Sequence, residues 1–157
     1  MKFMIKTIWG VIPVPVFVTD WGMGPTVGGC ANSFIIRIRP KYIERKDEGI
    51  LNHELNHVKQ FFMPLLISLA IFAALWVWLG YISVYSFYIL IAGYSLHSLL
   101  YLLVKPYKLW SEVTSYRVQA KSYPNYEEKL EEFAGYISKY YKLDITPEDA
   151  LKELKKK

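Results

Sequence analysis

GILNHELNHVKQFFMPLLISLAIFAALWVWLG, residues 49–80, joins a metal-binding spacing to a run apolar enough for lipid. His53, Glu54 and His57 form a His-Glu-x-x-His pattern. On a helix, positions four apart share a face, so both imidazoles can bind one zinc ion. Zinc takes neutral nitrogen ligands at ~2.0–2.1 Å, and a catalytic site keeps one position open for water. The metal lowers the pKa of that water toward ~7, and Glu54, beside the pair, is placed to accept its proton. The expected cofactor is one zinc ion per chain.

The second half of the stretch decides the architecture. From Phe61 to Val104 there is no Asp, Glu, Lys or Arg. That run is about twice the ~20 residues needed for one bilayer-crossing helix. It divides near Gly80 and Ser83, where Trp76, Trp78, Tyr81 and Tyr85 gather as an interfacial aromatic belt. Spans over 62–79 and 85–104 are therefore expected. The connection between them is uncharged, while Lys41, Arg45, Lys46, Lys59, Lys105 and Lys108 crowd the opposite ends. The positive-inside tendency then places both termini and the site on the cytoplasmic side of an integral membrane protein. The alternative is a soluble protein with an unusually apolar helical hairpin. Intramembrane proteolysis is disfavoured, because ERKDEGILNHELNHVKQ (44–60) is too polar to lie within a span.

Composition agrees with this partition. Hydrophobic residues make up 53 % and aromatics 17 % of 157 residues, above the usual soluble range. The net charge of +5 comes from basic residues beside the spans and from the tail Lys155, Lys156, Lys157, so no nucleic-acid partner is inferred. Cys30 is the single cysteine, which excludes an intramolecular disulfide and a thiolate cluster, and it reads as a small loop residue. Pro13 and Pro15 interrupt the apolar N-terminal stretch, which argues against a signal peptide.

The flanks read as α+β. Alternation predicts strands over 2–9 and 14–19, and DWGMGPTVGG (20–29) is a loop. SFIIRIRP (33–40) alternates as a strand with one wet face, and Pro40 marks it as an edge strand. An extended peptide substrate can add to such an edge at 33–39. Leu51, Leu55, Val58 and Phe62 stripe a helix over 47–61. Helices over 107–121 and 125–142 follow, the latter with Leu130, Phe133, Ala134 and Ile137 inward. In TPEDALKEL, Thr146 caps a last helix and Pro147 opens it.

A hairpin over 62–104 returns the chain to its starting side just before Glu112, which makes Glu112 the favoured third metal ligand. Glu48, Glu127 and Glu128 are substitutes, and His97, inside the second span, is expected to bond a neighbouring helix. Tyr116, one turn beyond Glu112, either orients a histidine, donates to the oxyanion formed on water attack, or packs as an ordinary interfacial residue.

The order of strand, HELNH helix, two-span hairpin and glutamate-bearing helix resembles the membrane-bound gluzincin metallopeptidases, the HtpX and CAAX-prenyl-protease group in particular. CANSFIIRIRPKYIERKDEGILNHELNHVKQ (30–60) is similar to that group's run from an Asn-Ala-Phe-like strand into its zinc helix, and the likeness covers about residues 30–120. SEVTSYRVQA (111–120) resembles, more weakly, small zincin-like proteins of phages and mobile elements. Two positions depart from the group's pattern. No span precedes the motif in this sequence, and Tyr116 stands where the group has an aspartate.

The resemblance implies one zincin-like domain over 1–157, with sheet and zinc helix in 1–61, transmembrane hairpin in 62–104 and third-ligand and supporting helices in 105–157. It implies His53, His57 and Glu112 as ligands and Glu54 as general base. The expected activity is a membrane-anchored zinc endopeptidase acting on membrane-associated or unfolded proteins, with membrane lipid as its other partner. The alternative is a catalytically inactive zincin-like scaffold or regulator.

Overall fold

The computed structural model describes residues 2–80 and 84–156. Tyr81 and Ser83 of the inter-span connection, and Lys157 of the tail, lie outside the described residues. The chain is α+β, with a small mixed sheet of four strands and six helices among the described residues.

β1 (Lys2–Ile8) and β2 (Ile12–Val18) form an antiparallel hairpin. Its turn is closed by the Val11 N–H donating to the Ile8 carbonyl at 3.2 Å. β3 (Gly29–Asn32) and β4 (Ile35–Ile38) form a second antiparallel hairpin, and β4 pairs with β2 in parallel. The strand order is β1-β2-β4-β3. The expected edge strand at 33–39 is therefore internal: β4 has a partner on each side. Pro40 does not cap an edge but opens the short helix α1 (Pro40–Glu44), where its missing N–H costs nothing. The edges of the sheet are β1 and β3, and β3 starts at Gly29, the last residue of the glycine-rich segment that reads as loop from sequence. Cys30 accordingly lies on β3 and not in a loop.

α2 (Glu48–Leu79) is one continuous helix carrying both the histidine motif and the first apolar span, with Pro64 inside it. The Asp47 side chain accepts from Gly49 and Ile50 N–H at its start, and Gly80, at φ 67°, ends it in the left-handed conformation. Leu51 and Val58 face the sheet, packing with Ile8, Val14, Val16, Ile36 and Ile38. α3 (Val84–Leu103) folds back along α2. The two meet where Gly93 lies against Ser68 and Pro64, so closely that an added Cβ would stand 1.9 Å from Ser68 Oγ.

Both α2 and α3 are long and apolar enough to cross a membrane. A core helix of a soluble protein hides its apolar surface, whereas only 11 % of the most apolar window of each helix is buried.

α4 (Lys105–Ala120) runs back beside α2, and α5 (Tyr126–Tyr140) and α6 (Pro147–Lys155) complete a second core. That core holds Leu130, Phe133, Ala134 and Ile137, the stripe expected from their spacing. Thr146 caps α6 by accepting from the Asp149 N–H at 3.2 Å.

Candidate metal centre

Polar residues recur every fourth position on α2, and they meet serines of α4 and the turn after it. Asn52 Nδ2 donates to Ser122 Oγ at 3.1 Å, Asn56 Nδ2 to Ser115 Oγ at 3.0 Å, and Gln60 Nε2 to the Ser111 carbonyl at 3.1 Å. Serine is small enough to let the two helices approach, and the ladder sets their register. That register carries Glu112 to the imidazoles. His53 Nε2 lies 3.1 Å from His57 Nε2, and each is 3.6 Å from a Glu112 carboxylate oxygen. The structure thus brings together His53, His57 and Glu112.

The spacing fits a metal. Two ligand atoms at ~2.05 Å from zinc with tetrahedral angles stand about 3.3–3.4 Å apart. Glu112 is 1 % exposed, and its Oε2 has no hydrogen-bond partner among the described residues, a costly state for a buried carboxylate oxygen without a cation. Its other oxygen accepts from the Tyr101 hydroxyl at the end of α3, whose ring stands edge-on to His57.

The orientation of His57 is fixed from behind. Its Nδ1 meets Gln60 Oε1 at 3.1 Å. Gln60 Nε2 donates to the Ser111 carbonyl and to Thr114 Oγ1, so Oε1 is the amide's acceptor and Nδ1 must carry the hydrogen. That leaves Nε2 to face the site, the tautomer a ligand needs. Burial works against a charged His57, but the adjacent Glu112 carboxylate, with Glu54 behind it, outweighs burial and raises its pKa to about 9. Burial alone would likewise raise Glu112; the imidazoles reverse this and hold it well below the usual carboxylate range.

Glu54 is buried next to this group, and its burial pushes its pKa up. A backbone hydrogen bond from Ala31 on β3 steadies it. β3 also presses against it: a Cβ on Gly29 would meet Glu54 Oε1 at 2.8 Å, so a larger residue there would displace the Glu54 side chain.

Tyr116 lies in the site with its ring 4.4 Å from that of His53, edge-on, while its hydroxyl pairs with Tyr141 at 2.9 Å. Its contact with the histidines is through the ring and not the hydroxyl. His97 is not among the grouped ligands; its Nδ1 bonds the Tyr107 hydroxyl of α4 at 2.8 Å, as expected of a bond to a neighbouring helix. Glu127 pairs with Lys155, away from the site. Gln60, Ser111 and Tyr101 escaped the sequence reading. The four-residue recurrence of Asn52, Asn56 and Gln60 was the available signal for the first of them.

In comparisons with known proteins, no family model, curated protein or solved structure matches this chain.

Proposed function

We infer that the chain is a membrane-anchored zinc endopeptidase with a minimal zincin-like core of the membrane-bound gluzincin type. The observation that carries this reading is the gathering of one ligand atom each from His53, His57 and Glu112 within 4.8 Å of one another, with Glu54 buried between them and a free strand edge. His53, His57 and Glu112 would hold the ion. Zinc there supplies Lewis acidity and lowers the pKa of water toward ~7.

Glu54 takes the proton from the attacking water and returns it to the departing amine. Its burial raises its affinity for that proton toward the working pH, which suits a base that must also act as an acid. An extended segment adding to the unpaired edge of β3 would run past Glu54 with its backbone held in place. Substrates are membrane-associated or unfolded proteins, because the site lies within two helical turns of the charge-free run. The basic residues beside the spans favour a cytoplasmic site and cytoplasmic termini.

The test is cleavage of an unfolded protein by vesicle-reconstituted chain, with zinc content measured alongside. Glu54→Gln is expected to keep zinc and lose at least about 100-fold in rate, the usual worth of a general base. Equal cleavage by Glu54→Gln would overturn the assignment. Zinc retained by a wild type that cleaves nothing would favour a non-catalytic scaffold, a reading consistent with the burial of His53 and Glu54.

A further inference from the structure

The direction of the sheet relative to the first span can be read from close approaches. A Cβ on Gly28 would meet Ile50 Cδ1 at 2.5 Å, and one on Gly29 would meet Glu54 Oε1 at 2.8 Å. β3 therefore advances along α2 toward its apolar half. Asn32 lies about 10 Å beyond Gly29 at ~3.3 Å per residue, a distance α2 covers in about seven residues. The turn at Ser33–Phe34 is thus level with about Phe61, where the charge-free run begins.

β4 returns antiparallel to β3, β2 lies parallel to β4, and β1 is antiparallel to β2. That topology brings the β1–β2 turn, Trp9–Gly10–Val11, to the same end of the sheet. Packing sets the level of this turn, since Ile8 and Ile12, which flank it, share a cluster with Val58 and Phe62.

The tips are apolar and bare. Val11 is 77 % exposed, Trp9 46 % and Phe34 43 %. Trp9 holds φ 52°, a left-handed conformation that large residues seldom adopt, and it does so in the open. Neither TIWGVIPV (7–14) nor NSFI (32–35) contains an acid.

The far aromatic residues give the same level independently. Trp78, 89 % exposed, marks the distant boundary. A ~30 Å hydrocarbon core takes about 20 helical residues, and counting back from Trp78 puts the near boundary at about Val58.

We propose that both hairpin tips insert into the headgroup region of the bilayer that α2 and α3 cross, making the end of the sheet a third membrane contact. The partner is lipid, because the tips continue the apolar surface of the spans at the height where the bilayer surface falls. Tryptophan and phenylalanine are the side chains suited to that layer. The contact would hold β3 and Glu54 at fixed height above the membrane. The inference rests on reading α2 and α3 as spans.

The experiment uses the full chain with Cys30→Ala in phosphatidylcholine and phosphatidylglycerol vesicles. A single cysteine is introduced as Val11→Cys, Phe34→Cys or, on the opposite end of the sheet, Glu44→Cys, and labelled with an environment-sensitive fluorophore. Probes at 11 and 34 are expected to emit to the blue of the probe at 44. They should be quenched by shallow lipid-borne spin labels and shielded from aqueous iodide, with the reverse at 44. Iodide quenching at 11 and 34 equal to that at 44, in protein that resists alkaline carbonate extraction, overturns tip insertion alone. Extraction by carbonate overturns the spans and the tip insertion together.

Discussion

Replacing Gln60 by methionine removes one amide and nothing of comparable volume. His57 Nδ1 loses its acceptor at 3.1 Å, the Ser111 hydroxyl loses an acceptor at 2.6 Å, and the Ser111 carbonyl and Thr114 Oγ1 lose a donor. The remaining neighbours of Nδ1 are the hydroxyls of Ser111 at 3.2 Å and Ser115 at 3.5 Å, which can donate or accept and so do not fix the tautomer. Loss of such an outer partner typically lowers metal affinity 10–100-fold, or about 1.4–2.7 kcal/mol. Gln60→Glu is the informative companion. It keeps an acceptor for His57 and the Ser111 hydroxyl but cannot donate to the Ser111 carbonyl or Thr114. Its zinc affinity should stay within a few-fold of wild type, while folding loses about 1–2 kcal/mol at the α2–α4 contact. Competition against a chromogenic chelator measures affinity, and thermal unfolding in detergent measures folding. Wild-type affinity in Gln60→Met, or equal losses in both variants, would refute the idea that Gln60 acts by orienting His57.

Two further outcomes follow from the geometry. Gly93→Ala places a Cβ 1.9 Å from Ser68 Oγ and 3.0 Å from the Pro64 carbonyl, and should cost about 1–3 kcal/mol of stability in detergent; adding Ser68→Gly should restore part of it. The metal-free protein should also lose stability as pH rises, because the His57 pKa is raised from 6.5 to about 9. That contribution is complete below pH 6.5 and gone above about 9, so melting temperatures should fall across this window without zinc and hold with it.

Much of the site was legible because its signals are short-range. His53, Glu54 and His57 are set by one helix, and Glu112 followed once a hairpin was inferred from the absence of charge between Phe61 and Val104. The edge strand was misread because Pro40 carries the same local meaning at a strand edge and at a helix start. Only the pairing partners distinguish the two. β3 was hidden for a related reason: Gly28 and Gly29 look like loop, yet they are there because Ile50, Tyr42 and Glu54 leave no room for a side chain. Tyr101 could not be found from pattern at all. Its hydroxyl reaches Glu112 only because α3 ends beside α4, and aromatic residues elsewhere on the same span look no different. Tyr116 was found by spacing, but the direction of its hydroxyl depends on Tyr141, which arrives from beyond α5.

The unbroken course of α2 has a mechanical side. At 32 residues it is about 48 Å long, with His53 and His57 near one end and the apolar run at the other. Pro64, seven residues beyond His57, removes a backbone hydrogen bond between the histidines and most of the apolar run, so an inclination of that run reaches the histidines through this point. On the proposed membrane reading, lipid tail length would bear on the inclination of His53 and His57 through this one helix.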